Sequence, residues 1–175
     1  MTDASWVPVA VVASSLLPGL VIFLLPEGQR GLRATLNLAG AFAKLGLGGL
    51  MLWNVGRFQE YEARMTVLPG LDLVLRADEL SLLFMTLSAL LWLLTTVYAI
   101  GYLEGSPHRS RFFGFFSLCV SATAGIALAG NLFTLFVFYE ILTLVTYPLV
   151  IHRGTPAALA AGRTYLLYTL PAGAL

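Results

Sequence analysis

Runs of about 20 apolar residues recur along this chain, and no other feature constrains its fold as strongly. They cover roughly 6–25, 34–53, 79–101, 112–130, 131–151 and 162–175. A helix of about 20 residues crosses a hydrocarbon layer of ~30 Å, and a helix satisfies its own backbone polar groups where no water can. The reading is an all-α membrane protein, a polytopic bundle of about six transmembrane helices. Composition agrees: 58% of the residues are hydrophobic and only 11% charged, with a mean hydropathy of +0.85. Soluble domains carry roughly a quarter charged residues. A net charge of +1 gives no reason to expect nucleic acid as a partner. Cys119 is the single cysteine, so no intrachain disulfide can form. The first run follows Asp3 with no Lys or Arg before it, unlike a cleaved signal peptide, and is read as a retained helix.

The connections carry the remaining information. "PEGQRGLR" (26–33), "GSPHRSR" (105–111), Gly130-Asn131 and "HRGTPAALAAGR" (152–163) separate neighbouring spans. The long connection 54–78 differs. "YEARMTV" and "LDLVLRA" are β-prone and flank Pro69-Gly70, a pair suited to a type II turn, so a short β-hairpin is expected there. Asp78 and Ser81 read as the cap of the third span. With the N-terminus outside, the inner connections hold Arg30, Arg33, Arg109, Arg111, Arg153 and Arg163, against Arg57, Arg64 and Arg76 outside. This bias favours the N-terminus out.

Nineteen residues are Asp, Glu, Lys or Arg; seventeen sit in connections or at span ends, and two, Glu140 and Lys44, lie inside apolar spans. A charge at mid-bilayer costs ~2.5–3.5 kcal/mol even on lenient scales, and marks a functional candidate. Glu140 lies in the middle of "NLFTLFVFYEILTLVTYPLVI". Helical spacing puts Phe133, Phe136, Val137, Thr143, Leu144 and Tyr147 on its face. Leu135, Phe138, Leu142, Val145 and Leu149 form the opposite face, expected to meet lipid. Pro148 has no N–H for the Leu144 carbonyl, one turn beyond Glu140. Glu140, Thr143, Tyr147 and that carbonyl could hold a short hydrated path; the alternative is a protonated glutamate that only packs. Lys44 shares its face with Asn37, Gly40, Ala41 and Gly48 and lies at a depth similar to Glu140. It is a possible charge partner of Glu140 or a snorkelling side chain. His108 and His152 lie beside arginines in connections, and headgroup or solvent contact is the expected role. No metal-spaced set, phosphate loop or catalytic triad occurs, so no cofactor and no metal are expected.

The stretch "RADELSLLFMTLSALLWLLTTVYAIGYLEG", then "RFFGFFSL", then "LAGNLFTLFVFYEILTLVTYPLVIHRGTPAALAAGRTYLLYTL" resembles a known family. It looks like the antiporter-like membrane subunits shared by multisubunit sodium/proton antiporters and proton-pumping NADH–quinone oxidoreductase, with the D-type component of the antiporters the nearer likeness. "FYEILTLVTYPLV" is the specific part. The likeness implies that Glu140 matches a fifth-helix glutamate that takes part in proton translocation with a seventh-helix lysine, which would lie beyond residue 175. Asp78-Glu79-Leu80-Ser81 departs from the family's usual Asp-Gly-Leu-Ser.

The expected function is translocation of protons and a monovalent cation by one membrane subunit of a cation/proton antiporter, with Glu140 as proton relay. Desolvation disfavours a charged carboxylate and a nearby cation restores it, so such a group takes up and releases a proton as the cation moves. The homologous membrane-arm subunit of an NADH–quinone oxidoreductase or membrane-bound hydrogenase is the alternative, and a non-conducting structural subunit the third reading. The expected partners are other membrane subunits and the lipid bilayer, in a prokaryotic inner membrane. The last run, from Gly162 to Leu175, has about 14 residues, short of the ~20 that cross a bilayer. Residues 1–175 are thus expected to be a single transmembrane domain, the N-terminal part of a longer subunit.

Overall fold

The computed structural model describes residues 6–55, 61–103 and 105–174; Asp3, Arg57 and Leu175 lie outside them. The chain forms α1 (Trp6–Phe23), α2 (Arg30–Val55), β1 (Tyr61–Leu68), β2 (Leu71–Ala77), α3 (Glu79–Tyr102), α4 (Arg109–Ala127), α5 (Leu132–Val150) and α6 (Pro156–Ala174). Five helices, α1 to α5, are long and apolar enough to cross a membrane. The expected sixth span is a helix of 19 residues that does not reach that standard.

Two boundaries correct the sequence reading. Helix α6 starts at Pro156, not near Gly162, so Arg163 is helical. The cause is local: proline suits a first helical turn, whose N–H groups have no partner within the helix, and the Thr155 hydroxyl accepts the Ala158 N–H at 3.2 Å. Helix α2 starts at Arg30, which places Arg33 inside the helix rather than in a connection.

The two ends of the bundle are built differently. At one end β1 and β2 pair antiparallel across Pro69-Gly70, and Gly70 takes the positive φ of 85° that a type II turn requires at its third residue. The hairpin is fastened to the α4–α5 turn. Arg76 N–H donates to the Leu128 carbonyl and Gly130 N–H to the Val74 carbonyl, both at 2.7 Å. The Thr134 hydroxyl accepts from Val74 N–H at 2.8 Å, and the Asn131 amide donates to the Asp72 carbonyl at 2.8 Å. Two side-chain caps follow the same logic: Asp78 accepts Ser81 N–H and Asn131 accepts Thr134 N–H, each at 2.7 Å.

At the other end Glu27 takes that role. Its carboxylate accepts the first N–H groups of α4, from Arg109 at 3.0 Å and Ser110 at 3.1 Å, and pairs with Arg33 at 3.4 Å. A carboxylate at a helix N-terminus satisfies groups the helix cannot. The 24–29 and 105–108 connections therefore share one face of the bundle and the hairpin occupies the other, so successive helices alternate in direction.

Between these ends, α1 to α4 form the core. Val7, Val11, Met51, Tyr61, Leu82, Met85, Ala124 and Leu128 pack beneath the hairpin. Ala41, Trp92 and Val120 pack at mid-height, and Ile22, Ala99 and Phe113 at the Glu27 end. Small residues set the closest approaches. A Cβ on Gly40 would lie 2.7 Å from the Ser14 carbonyl of α1 and 2.9 Å from the Trp92 ring of α3. Helix α5 lies along α4, and α6 along α5.

Candidate functional site

Glu140 sits on α5, at the seam with α6. One carboxylate oxygen, Oε1, is buried and has no hydrogen-bond partner. A Cβ on Gly173 of α6 would run into that oxygen and into the Tyr139 ring, so glycine lets α6 come close here. Two turns further along α5, Tyr147 faces the same helix, its ring 2.9 Å from where a Cβ on Gly162 would sit. Thr143, between them, is buried. The polar stripe expected of Glu140, Thr143 and Tyr147 thus stays together, and its two ends face α6.

The rest of α5 departs from expectation. Helical spacing puts Phe138 on the lipid side, but its ring fills the space over Gly125 of α4. Thr146 also turns to α4, its hydroxyl 3.5 Å from the Cys119 sulfur. Leu144 and Phe136, which the same spacing groups with Glu140 on the protein side, are 55% and 41% exposed. A 19-residue helix held between two neighbours has two covered sides, and a single apolar arc cannot represent that. Arg111 reaches the Pro148 carbonyl at 3.5 Å.

Lys44 lies elsewhere. It is completely buried in the four-helix core, where Nζ donates to Ser15 Oγ at 2.7 Å and to the Val120 carbonyl at 3.4 Å. It also stands 5.3 Å from the centre of the Trp92 ring, within cation–π range. Among the described residues no carboxylate pairs with it, and it neither meets Glu140 nor snorkels to an interface. Of its surroundings sequence reasoning placed Asn37 on the same face but missed Ser15, Ser117 and Ser121; all four are buried and hydrogen-bonded. The unused signal was the spacing of Ser110, Ser117 and Ser121 on one face of α4, and of Arg33 in line with Asn37 and Lys44 on α2.

His152, after α5, packs edge-on to Phe112 with ring centres 5.7 Å apart. Burial, and then the charges of Arg111 and His108, hold its imidazole below the usual range. The Ser81 N–H and hydroxyl hold the Asp78 carboxyl below its ordinary value. Among the described residues no three His, Cys, Asp or Glu side chains gather to hold a metal ion.

Comparison with known proteins places this architecture. Residues 70–113 match the family described as NADH-ubiquinone oxidoreductase (complex I), chain 5 N-terminus. Over 190 aligned residues the chain is 30% identical to the D-type component of a probable potassium/proton antiporter of Rhizobium meliloti, covering 100% of this chain and 33% of that protein. The chain is homologous to the N-terminal part of antiporter-like membrane subunits. The D-type component of the sodium/proton antiporter of Bacillus subtilis is 27% identical over 59% of this chain and 21% of its own length. The L-type component of the NADH-quinone oxidoreductase of Mycobacterium tuberculosis is 29% identical over 75% of this chain and 23% of its own length. An archaeal membrane-bound sulfane sulfur reductase complex contains a chain that shares the fold, with a TM-score of 0.69 at 17% identity, over 81% of this chain and 22% of that one. This antiporter-like chain therefore spans a third or less of the curated relatives it matches, and corresponds to their N-terminal part.

Proposed function

We propose that the chain is part of a proton- and cation-translocating subunit of a multisubunit cation/proton antiporter, with Glu140 as its proton relay. The observation that carries this reading is the buried, unpartnered Oε1 of Glu140 at the α5–α6 seam. A buried acceptor with no partner is costly in a structural role, whereas a relay needs a lone pair open to an arriving proton. Thr143 and Tyr147 line the same stripe, and the Leu144 carbonyl has no N–H from Pro148. These groups can hold water between Glu140 and the end of α5 near His152. The names of the relatives, potassium/proton and sodium/proton antiporter subunits, support a monovalent cation as the counter-substrate. The other subunits of such a complex are the partners, in a prokaryotic inner membrane with the N-terminus outside.

A second reading, the membrane arm of an NADH–quinone oxidoreductase, is favoured by the family match over residues 70–113. Both readings use the same relay. They separate in vesicles holding the assembled complex, where cation-driven proton flux without an electron donor marks the antiporter.

The relay itself is tested by Glu140→Gln, which keeps shape and hydrogen bonding but cannot titrate. Proton flux should fall roughly 10²-fold or more while complex abundance stays near normal, the scale of losing a positioned proton-transfer group. Glu140→Asp should retain partial flux. Normal pH-gradient formation by Glu140→Gln would remove Glu140 from the mechanism and leave a structural subunit.

A further inference from the structure

The relay proposed for Glu140 makes no use of Lys44, the other charge inside the membrane. Its ammonium is surrounded by electron-rich but uncharged partners: the Ser15 hydroxyl from α1, the Val120 carbonyl from α4 and the Trp92 ring from α3. None of these titrates. Two buried polar atoms of α3, Nε1 of that same Trp92 and Oγ1 of Thr96 one turn further on, have no partner. A buried cation without a counter-charge is unstable unless it loses its proton or water reaches it.

A polar column leads from Lys44 to one end of the bundle. Asn37, two turns earlier on the same face of α2, is completely buried; its Oδ1 accepts from the Ser117 hydroxyl at 2.7 Å. Its amide donates to the Arg33 carbonyl at 3.1 Å. Ser117 is followed one turn later on α4 by Ser121, which bonds the Val12 carbonyl beside Ser15 at 2.9 Å. Arg33, one turn before Asn37, contacts Ser110 and pairs with Glu27, whose side chain is 48% exposed. A cavity of about 130 Å³ opens beside Arg33, lined by Arg30, Ala34, Ile100, Arg109 and Phe113. One water fills ~30 Å³ of liquid, so this space holds several.

We propose that Lys44 is a second proton-exchanging site, reached from the Glu27 end of the bundle through the Arg33 cavity and the Asn37–Ser117 pair, and separate from Glu140. The inference rests on reading the chain as part of a proton-translocating subunit. The ammonium gives one proton to water in the column and becomes a neutral amine. That amine then accepts the hydrogen bond of the Ser15 hydroxyl, which until then was the acceptor. The proton leaves past Asn37 and Ser117 to the exposed carboxylate of Glu27. The charged groups along this route are Glu27, paired with Arg33, and Arg30 and Arg109, which line the cavity; the three guanidiniums leave its mouth positive, so the proton crosses it on water beside the Glu27 carboxylate.

The test uses the assembled complex in vesicles. Lys44→Met should lower proton flux at least about tenfold, within the span of losing a proton-transfer group. Ser117→Ala should displace the pH profile of the flux with complex abundance unchanged. An unaltered pH profile in both variants overturns the inference. If Glu140→Gln is inactive in that case, the Glu140 relay stands alone; if it too is unaltered, both readings fall. Should Lys44→Met fail to accumulate, Asn37→Cys in a Cys119→Ala background provides a direct probe. A charged thiol reagent applied at the Glu27 end should label residue 37, and no labelling from that end overturns the column.

Discussion

His152 packs against Phe112 with its ring partly buried, and Arg111 and His108 add positive charge nearby. The fold therefore accommodates the neutral imidazole. The unfolded chain binds a proton near the ordinary value of 6.5, the folded chain only at a lower pH. Stability contributed by this residue is fully present above pH ~6.5 and is lost as the pH falls from there through the folded value. Hydrogen exchange at residues 151–155 should accelerate as the pH drops below about 6.5, once corrected for intrinsic rates, and His152→Gln should remove that dependence. An identical pH response in the variant would show that His152 is not the sensor. At this scale the sequence displayed Glu140 and Lys44 with equal clarity, because a charge in an apolar run is visible wherever it points. Their partners were hidden. Ser15 and Ser117 are ordinary residues of membrane helices, and only the crossing of α1, α2 and α4 makes them neighbours of a buried cation and a buried amide.

Among the elements, the hairpin was the most legible, since Pro69-Gly70 and the two β-prone stretches act within a few residues of each other. Capping by Asp78 was legible for the same reason. The faces of α5 were not: Phe138 turns to α4 because Gly125 leaves a space for its ring, and that glycine lies in another helix. Close approach can be tested on α2, which carries its own control. Gly40→Ala forces a methyl against the Ser14 carbonyl and the Trp92 ring, and should cost about 1–3 kcal/mol by overpacking. Gly46 meets nothing within 4 Å, so Gly46→Ala should be neutral or stabilising by up to ~1 kcal/mol through helix propensity. Thermal unfolding of the two variants checks the pair, and equal melting points would mean that α1 and α2 can move apart at Gly40.

For the whole molecule, the alternation of helices puts the hairpin on one membrane face and the 105–108 connection on the other. Cysteines introduced at Glu62 and Ser106, in a Cys119→Ala background, should be labelled by an impermeant reagent from opposite sides, with Ser106 reached from the inside. Labelling of both from one side would sink the topology. Chain order, however, is not neighbour order, because α1 packs chiefly on α4. The hydrogen bond from Ser121 to the Val12 carbonyl joins residues 109 positions apart. Ribosomes extend a chain by roughly 5–20 residues per second, so on the order of 5–20 s separate the emergence of the two partners. For that interval the seam of α1 carrying Val12, Ser15 and Gly19 has no α4 to meet. Helix α1 acquires its principal neighbour only when α4 is made, so membrane insertion has to hold α1 with its small, polar seam still uncovered.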